Sequence, residues 1–178
     1  MSKHTMIAWM EDKPGVLNRV AGLFRRRNFN IESLAVGHSE KPGISRMTFV
    51  AEGDTRDMRQ VQTQLYKLIN VTAVQDVTDV PTVDRELALI KVKASNGSRA
   101  EVMQLVDIYR ASIIDVDMET VIIQAVGSEG RVNSLVDLLS SFGIVEMVRT
   151  GKVAMVRGSH DRAAEQKTAV SAYKNGHS

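Results

Sequence analysis

Cysteine is absent from the 178 residues, and both proline (three residues) and aromatic residues (4%) are scarce. Without cysteine the chain can form no disulfide, no thiolate metal site and no cysteine nucleophile. A run of about 18 apolar residues, which a membrane-spanning helix requires, is also missing. The first ten residues have neither the apolar core nor the cleavage site of a signal peptide. We therefore expect no membrane association and a cytoplasmic location.

An excess of charge of one sign is missing as well. Lys and Arg number 23 against 21 for Asp and Glu, which leaves a formal net charge of +2. This balance gives no general reason to expect a nucleic-acid partner. Hydrophobic residues make up 43% and charged residues 25%, values that are ordinary for a globular protein. The length suffices for one medium domain or two small ones.

The first half of the chain predicts the order strand, helix, strand, strand, helix, strand. The apolar run 6–10 predicts a strand that ends at a turn containing Pro14 and Gly15. Apolar residues with helical spacing follow, and the predicted inward face is Leu17, Val20, Ala21 and Phe24. Asp12 is the predicted acceptor for the first backbone N–H groups of this helix. Strands at 30–36, 45–51 and 71–80, with a helix opened by residues 53–55, complete the split βαβ order.

The same order recurs after Pro81. Alternating apolar residues predict a strand around 88–94, and the pattern continues with a helix opened by 96–98, strands at 113–116 and 120–126, a helix after Gly130 and a strand at 144–148. Residues 152–156 could extend this second unit. We therefore predict an α+β protein with two tandem ferredoxin-like βαββαβ sandwiches, at residues 1–80 and 81–158. A polar tail, predicted to be poorly ordered, occupies residues 159–178.

The histidine, serine and carboxylate residues form no recognisable active-site pattern in the sequence. Four histidines occur, at positions 4, 38, 160 and 177, without the spacing of metal ligands, so we expect surface positions for them. No G-x-S-x-G or S-x-x-K pattern supports a serine nucleophile. Glu11 and Asp12 are adjacent and would point to opposite sides of a strand. The sequence therefore predicts neither catalytic residues nor a metal site.

The loop Glu11–Leu17 has the features of an anion-binding helix start. Gly15 lets a ligand approach the backbone, and the N–H groups of Gly15, Val16 and Leu17 would face a carboxylate at the positive end of the helix dipole. Asp12 or Asn30 could meet an ammonium group, so a free amino acid would satisfy both ends of the site. A plain turn that begins a helix explains the same residues and stays open as the alternative.

The cluster Arg25–Arg27 has two interpretations, a solvated helix end and an RNA-binding patch. RNA-recognition domains share this strand order and stack bases on aromatic residues of their central strands. Here the strand 45–51 offers only Phe49 for stacking. The positive charges also suit the carboxyl end of a helix, where they offset its dipole. The solvated helix end is favoured.

Several segments of the chain match the sequence patterns of a known family. The start resembles an ACT domain, through EDKPGVL at 11–17 and RVAGLF at 19–24. More specific are NFNIESL at 28–34, SRMT at 45–48, QLYKLINV at 64–71, RELALIKV at 85–92, IIDV at 113–116 and RG at 157–158. Together these segments resemble the small regulatory subunits of acetolactate synthase. The resemblance runs in register from about residue 4 to residue 158.

This resemblance implies a regulatory subunit with no catalysis of its own. Its first unit would be an ACT domain that forms a homodimer and binds valine, or a related branched-chain amino acid, between protomers. The implied partner is the catalytic large subunit, which condenses two pyruvates to 2-acetolactate and CO2, or pyruvate with 2-oxobutyrate. Thiamine diphosphate, Mg²⁺ and FAD would belong to that partner, and none to this chain. The small subunit would activate the partner and make it sensitive to feedback inhibition by valine in branched-chain amino acid biosynthesis.

The resemblance also implies an effector site. The family's positions correspond to Asp12, Gly15, Val16, Leu17, Asn30, Ile31 and Ala35. The chain departs from the family's pattern at Asp12, where some members carry Asn, and at Ala35, where some carry Thr. Two other functions are weighed against this one. A free-standing amino-acid-binding regulator would bind the ligand without a catalytic partner, and a nucleic-acid module is disfavoured by the few aromatic residues.

Overall fold

The computed structural model describes residues 2–158, which form two compact units. Of the described residues, one unit contains 2–83 and 154–158, and the other contains Asp84–Val153. No helix in this part of the chain is long and apolar enough to cross a membrane. The polar tail predicted at 159–178 lies outside the described residues.

The first unit has the predicted strand and helix order. Its elements are β1 (Ser2–Glu11), α1 (Val16–Arg26), β2 (Asn30–His38), β3 (Ile44–Gly53), α2 (Thr55–Tyr66) and β4 (Val71–Asp76). The four strands form an antiparallel sheet in the order β2-β3-β1-β4, so that β2 and β4 are its edges. The prediction that the last strand continues to Val80 is wrong. Asp76 Oδ1 accepts a hydrogen bond of 3.0 Å from the Thr78 amide and turns the chain there.

Strand β1 is apolar on both faces because both faces of the sheet are covered. Its residues Met6, Ala8 and Met10 pack with the helices in the main core of the unit. On the opposite face, Ile7 and Trp9 belong to a second buried cluster that also contains Ala73 and Val77. A strand buried on both faces reads as a continuous apolar run, which is why no polar alternation is visible in this segment.

Helix α1 is rotated relative to its predicted orientation. The buried residues are Val16, Val20, Leu23 and Phe24, whereas Leu17, which we predicted to face inward, is 45% exposed. The prediction of Asp12 as the cap is also wrong, because the helix begins one residue after Gly15 and has no side-chain cap. Helical spacing alone allows an apolar face that contains either Leu17 or Leu23. Packing against the core places Leu23 on the buried face.

Helix α2 begins at the predicted point and has a complete capping box. Asp54 Oδ1 accepts a hydrogen bond of 2.8 Å from the Asp57 amide, and Asp57 Oδ2 accepts one of 3.0 Å from the Asp54 amide. These reciprocal bonds satisfy backbone donors that the helix itself cannot pair. Because its backbone hydrogen bond to Asp57 favours the charged form, the Asp54 carboxyl has a pKa below its ordinary value.

The second unit repeats the architecture of the first. Its elements are β5 (Thr82–Lys93), α3 (Arg99–Ile108), β6 (Ser112–Val116), β7 (Thr120–Gly127), α4 (Glu129–Ser140) and β8 (Ile144–Arg149). The sheet order β6-β7-β5-β8 corresponds to that of the first unit, strand by strand. One core cluster joins the inward face of β5 to the helices. The α+β fold with two tandem ferredoxin-like units is therefore confirmed.

The last strand, β9 (Val153–Val156), is the fifth strand of the second sheet and so extends that sheet, as residues 152–156 were predicted to do. It pairs with β5, and residues 154–158 cluster with the first unit. Arg46 donates a hydrogen bond of 2.6 Å to the Ala154 carbonyl, and Val156 packs against the cluster that contains Ile7 and Trp9. The apolar outer face of the first sheet is the physical reason, because this segment removes part of it from water.

Candidate functional site

The loop between β1 and α1 is held in place mainly by backbone hydrogen bonds. The Asp12 amide donates to the Gly43 carbonyl at 2.8 Å, which ties the loop to the turn between β2 and β3. Within the loop, the Lys13 amide donates to the Glu11 carbonyl at 3.0 Å and the Val16 amide donates to the Lys13 carbonyl at 3.3 Å. The loop conformation is therefore fixed by contacts within the protein.

A polar network fixes the loop from its other side. Asn70 donates through Nδ2 to Glu11 Oε2 at 2.6 Å and accepts from Arg19 at 2.9 Å, and Lys13 Nζ lies 3.0 Å from the same Glu11 oxygen. The pKa of Glu11 is lowered, chiefly by the Asn70 hydrogen bond and then by Lys13. Glu11 thus serves to anchor the loop, and its carboxylate is already occupied by protein donors.

Gly15 provides the backbone turn that the helix start requires. Its φ is +83°, a left-handed conformation that favours glycine, and a Cβ built there would meet nothing within 4 Å. Space for a ligand therefore lies directly beside the first turn of α1, where backbone N–H groups have no partner within the helix. Val16 is buried and its amide is already bonded to the Lys13 carbonyl, whereas the side chain of Leu17 is exposed.

Asp12 lies at the His38 end of β2. Its Oδ2 atom is 3.2 Å from His38 Nδ1, and both side chains are substantially exposed. The carboxylate predicted to receive an ammonium group is therefore accessible, with a histidine as its present partner. A ligand ammonium would compete with the imidazole for the same oxygen.

The remaining predicted site residues lie along β2. Asn30 donates through Nδ2 to Glu52 Oε2 at 2.7 Å, Ile31 packs against the core and Ala35 is paired with the buried Thr48 of β3. Asn30 and His38 are the two ends of this strand. At a rise of about 3.4 Å per residue, roughly 27 Å separates these ends. Within one copy of the chain, the structure does not bring Asn30 together with Asp12.

Four residues of this region escaped the sequence analysis, namely Arg19, His38, Glu52 and Asn70. His38 contacts Asp12, Glu52 contacts Asn30 and Asn70 contacts Glu11. Arg19 contacts Asn70. No local pattern indicates these contacts, because the partners are 22 residues or more apart in sequence. The contact between Asn30 and Glu52 could have been predicted only by pairing the two predicted strands in antiparallel register.

The prediction that all four histidines lie at the surface is wrong for His4. Its exposed fraction is 8%, with Ser2 Oγ 3.0 Å from Nε2, and Thr78 Oγ1 and Asp76 Oδ2 at 3.3 and 3.6 Å from Nδ1. His160 and His177 lie outside the described residues. Within residues 2–158, no group of three or more His, Asp or Glu side chains is placed to hold a metal ion.

The one aromatic residue that the sequence offers for base stacking is unavailable. Phe49 is fully buried and packs on Phe24, with 5.2 Å between the ring centroids. Arg25 and Arg26 lie in the last turn of α1, where their charge offsets the helix dipole. The geometry thus supports the interpretation of the arginine cluster as a solvated helix end.

Family comparisons match both units. The family described as "AHAS small subunit-like ACT domain" matches residues 7–73, and the one described as "Small subunit of acetolactate synthase" matches residues 85–158. The two matches correspond to the two βαββαβ units and together leave few of the described residues unmatched.

Individual relatives agree with these matches over nearly their whole length. An acetolactate synthase small subunit of Mycobacterium bovis is 48% identical over 155 residues, which are 87% of this chain and 92% of the relative. That of Bacillus subtilis is 43% identical over 159 residues, covering 88% and 92%. The crystal structure of the acetolactate synthase small subunit from Thermotoga maritima superposes with a TM-score of 0.83 at 40% identity, covering 89% of this chain and 99% of that one.

Proposed function

The chain belongs to the family of acetolactate synthase small subunits, and from this we propose that it regulates a catalytic large subunit by binding valine between two copies of its first unit. It would raise the activity of that partner and confer feedback inhibition by valine. The partner would hold thiamine diphosphate, Mg²⁺ and FAD and would carry out the condensation of two pyruvates to 2-acetolactate and CO2. The residues of this chain would bind the effector and transmit its presence.

One observation carries the proposal for a shared site. Asp12 and Asn30 lie at opposite ends of β2, and β2 is an edge strand of the first sheet. If β2 pairs antiparallel with β2 of a second copy, the Asn30 end of each strand comes beside the His38 end of the other. Two equivalent sites then form, each with the loop of one copy and Asn30 of the second copy, as a two-fold dimer requires.

The exposed apolar residues of β2 are consistent with this pairing. Leu34 and Val36 are each 40% exposed on the edge strand. An edge strand with apolar side chains readily pairs with another strand, because its backbone donors and acceptors on one side are unsatisfied by the sheet. Joining the two edges would satisfy these groups and remove the side chains from water.

The chemistry of the proposed site suits a free amino acid. The start of α1 presents backbone N–H groups to the α-carboxylate, and the open space at Gly15 lets the carboxylate approach. Asp12 of the same copy would receive the ammonium group in place of His38, and the amide of Asn30 from the second copy would hydrogen-bond either group. The side chain of valine would contact Leu17, which is exposed beside the loop.

Regulation then follows from differential affinity. A ligand that contacts both copies stabilises the dimer geometry in which loop and strand end are closest. The catalytic subunit senses that geometry, and inhibition is a shift in the population of two conformational states. By linkage, the inhibited state of the assembly must bind valine more tightly than the active state.

Two measurements on the full-length chain test this function. Copurification with a catalytic large subunit, and a rise in its acetolactate-forming activity on mixing, are expected of a regulatory subunit. Calorimetric titration with valine should give saturable heat near one ligand per chain, with an unrelated amino acid as the control. Valine binding without any association with the large subunit would instead indicate a free-standing amino-acid-binding regulator. Association without valine binding would reject the proposed effector site.

A further inference from the structure

The second unit contains a basic cleft that the proposed regulation does not use. It is an open cleft of about 660 Å³ at the point where the beginning of β5, the end of α3 and the beginning of α4 meet. Its lining includes three arginines, Arg85, Arg110 and Arg131, and no Asp or Glu. Its volume falls in the range of about 300–1,000 Å³ that small-molecule sites occupy.

The three guanidinium groups are not neutralised by nearby carboxylates. Among the described residues, no Asp or Glu oxygen lies within 4.0 Å of any of them. Elsewhere in the same unit, Arg149 is paired with Glu86, which is buried. Three like charges around one concavity repel each other, so the cleft is expected to attract an anion.

The side chain of Arg131 is held in place by the fold. Arg131 donates a hydrogen bond of 2.9 Å to the Tyr109 carbonyl, and its guanidinium carbon lies 5.7 Å from the centre of the Tyr109 ring. Gly127 leaves the room that this side chain occupies, since a Cβ there would lie 3.1 Å from Arg131 Cδ. Arg110 lies two residues after the last residue of α3, with a left-handed backbone φ of 50°. A preorganised guanidinium loses less entropy when it binds a ligand.

The start of α4 adds hydrogen-bond donors to the same cleft. Ser128 precedes the helix and lines the cleft, and its hydroxyl makes no hydrogen bond to the helix backbone. The amides of the first turn have no partners within the helix, and the helix dipole is positive at this end. Glu129, the acidic residue next to Ser128, is 3.6 Å from Lys152 Nζ, which offsets its charge.

We propose that this cleft binds a small molecule that carries a phosphoryl group, with Arg110 and Arg131 as its principal ligands. Guanidinium groups bind phosphate oxygens through paired N–H donors, and a cluster of three suits a group with two or more negative charges. Tyr109 and the apolar residues Ile108 and Val126 line the cleft as well and would contact the organic part of the ligand. The cleft lies wholly in the second unit, so this proposal does not rest on the valine site.

Inorganic pyrophosphate is the probe that tests the proposal on the full-length chain without valine. Calorimetry should give saturable binding that weakens as ionic strength rises, and ¹H–¹⁵N spectra should show the largest shifts at residues 128–131. The variant Arg110→Gly removes one charge and suits the left-handed backbone, so the fold should be retained. Its affinity is expected to be about tenfold lower, since a charge-assisted hydrogen bond is lost. Arg131→Gln should weaken binding similarly.

Arg59→Gln serves as the matched control, because it removes one exposed positive charge from α2 in the first unit. Its affinity for pyrophosphate should equal that of the unmodified chain. Absence of saturable binding, or equal affinity in Arg110→Gly, Arg131→Gln and Arg59→Gln, would overturn the proposal. Tighter binding of citrate than of pyrophosphate would also overturn it, since it would indicate a carboxylate site.

Discussion

Asn70 donates a hydrogen bond of 2.6 Å from its side-chain amide to Glu11 Oε2, although 59 residues separate the two in sequence. Asn70 directly precedes β4, and Glu11 is the last residue of β1. The bond therefore joins two neighbouring strands at the point where the candidate effector loop begins. Asn70 also accepts from Arg19 of α1, so that one amide connects the loop to both layers of the unit.

Asn70→Ala is predicted to loosen the loop and to make the stability of the protein less dependent on Glu11. The folded state lowers the pKa of Glu11 from its ordinary value of 4.5, chiefly through Asn70. The resulting stabilisation is present above pH 4.5 and is lost as the pH falls through the lowered pKa. The difference in Tm between Asn70→Ala and the unmodified chain should therefore be larger at neutral pH than at a pH below the lowered pKa of Glu11. Gln60→Ala, an exposed amide of α2, is the control; a pH-independent difference would contradict the role of Glu11.

Asp12→Ala and Asn30→Ala are each predicted to abolish valine binding, and a mixture of the two is predicted to restore part of it. In a mixed dimer one of the two sites receives both substitutions, and the other site is intact. Random reassembly should recover about one in four of the original sites. Calorimetry on the reassembled mixture measures this fraction.

A mixture of Asp12→Ala with Gly15→Asp provides the control for that experiment. Both substitutions lie in the same loop, so each site of a mixed dimer carries one of them. No recovery of valine binding is expected in this case. Recovery in both mixtures, or in neither, would argue against a site shared between two copies.

Gly15→Asp is predicted to leave the assembled enzyme active and insensitive to valine. A Cβ at this position meets no protein atom, so the substitution places a carboxylate in the space where the carboxylate of the ligand would lie. Gly15→Asn has nearly the same size and also tolerates the φ of +83°, but has no charge. Valine inhibition should be weaker in Gly15→Asp than in Gly15→Asn, at similar Tm. Equal inhibition in both variants would show that charge at this point does not matter.

Asp54→Ala is predicted to lower the Tm at neutral pH by about 2–4 °C, a typical effect for the loss of a helix cap in a protein of this size. Because the folded state lowers the pKa of Asp54, its stabilisation is present above the ordinary pKa of 3.8 and is lost as the pH falls through the lowered value. The Tm values of the two proteins should therefore converge in acid. Asp54→Asn, which can still accept the Asp57 amide, should retain part of the stability at neutral pH. A difference that persists undiminished in acid would show that the carboxylate charge is not responsible.

Much of the architecture is visible in the sequence because it depends on local patterns. The alternation along β5 and the helical spacing in α2 and α4 correspond to buried faces. Helix α2 begins after its cap Asp54, within the predicted segment 53–55. The repeat of one element order in both halves is enough to predict two units of the same fold. Boundaries were predicted less well where a side-chain contact ends the element, as at Asp76.

Contacts between residues far apart in sequence decided the remaining features. Leu17 and Leu23 both fit an apolar helix face, and only the packing of α1 on the sheet selects Leu23. The position of β9 depends on the apolar outer face formed by Ile7 and Trp9. The residues of β9 alone do not indicate this contact.

The two units and the loop at Gly15 follow from local sequence, since they depend on backbone preferences and on the spacing of apolar residues. By contrast, the contacts of Asp12 with His38 and of Glu11 with Asn70, and the position of Asn30 at the far end of β2, arise from the folded arrangement of the strands. The physical reason is that strand pairing and sheet order bring distant residues together or hold them apart. Neither is specified by the spacing of residues along the chain.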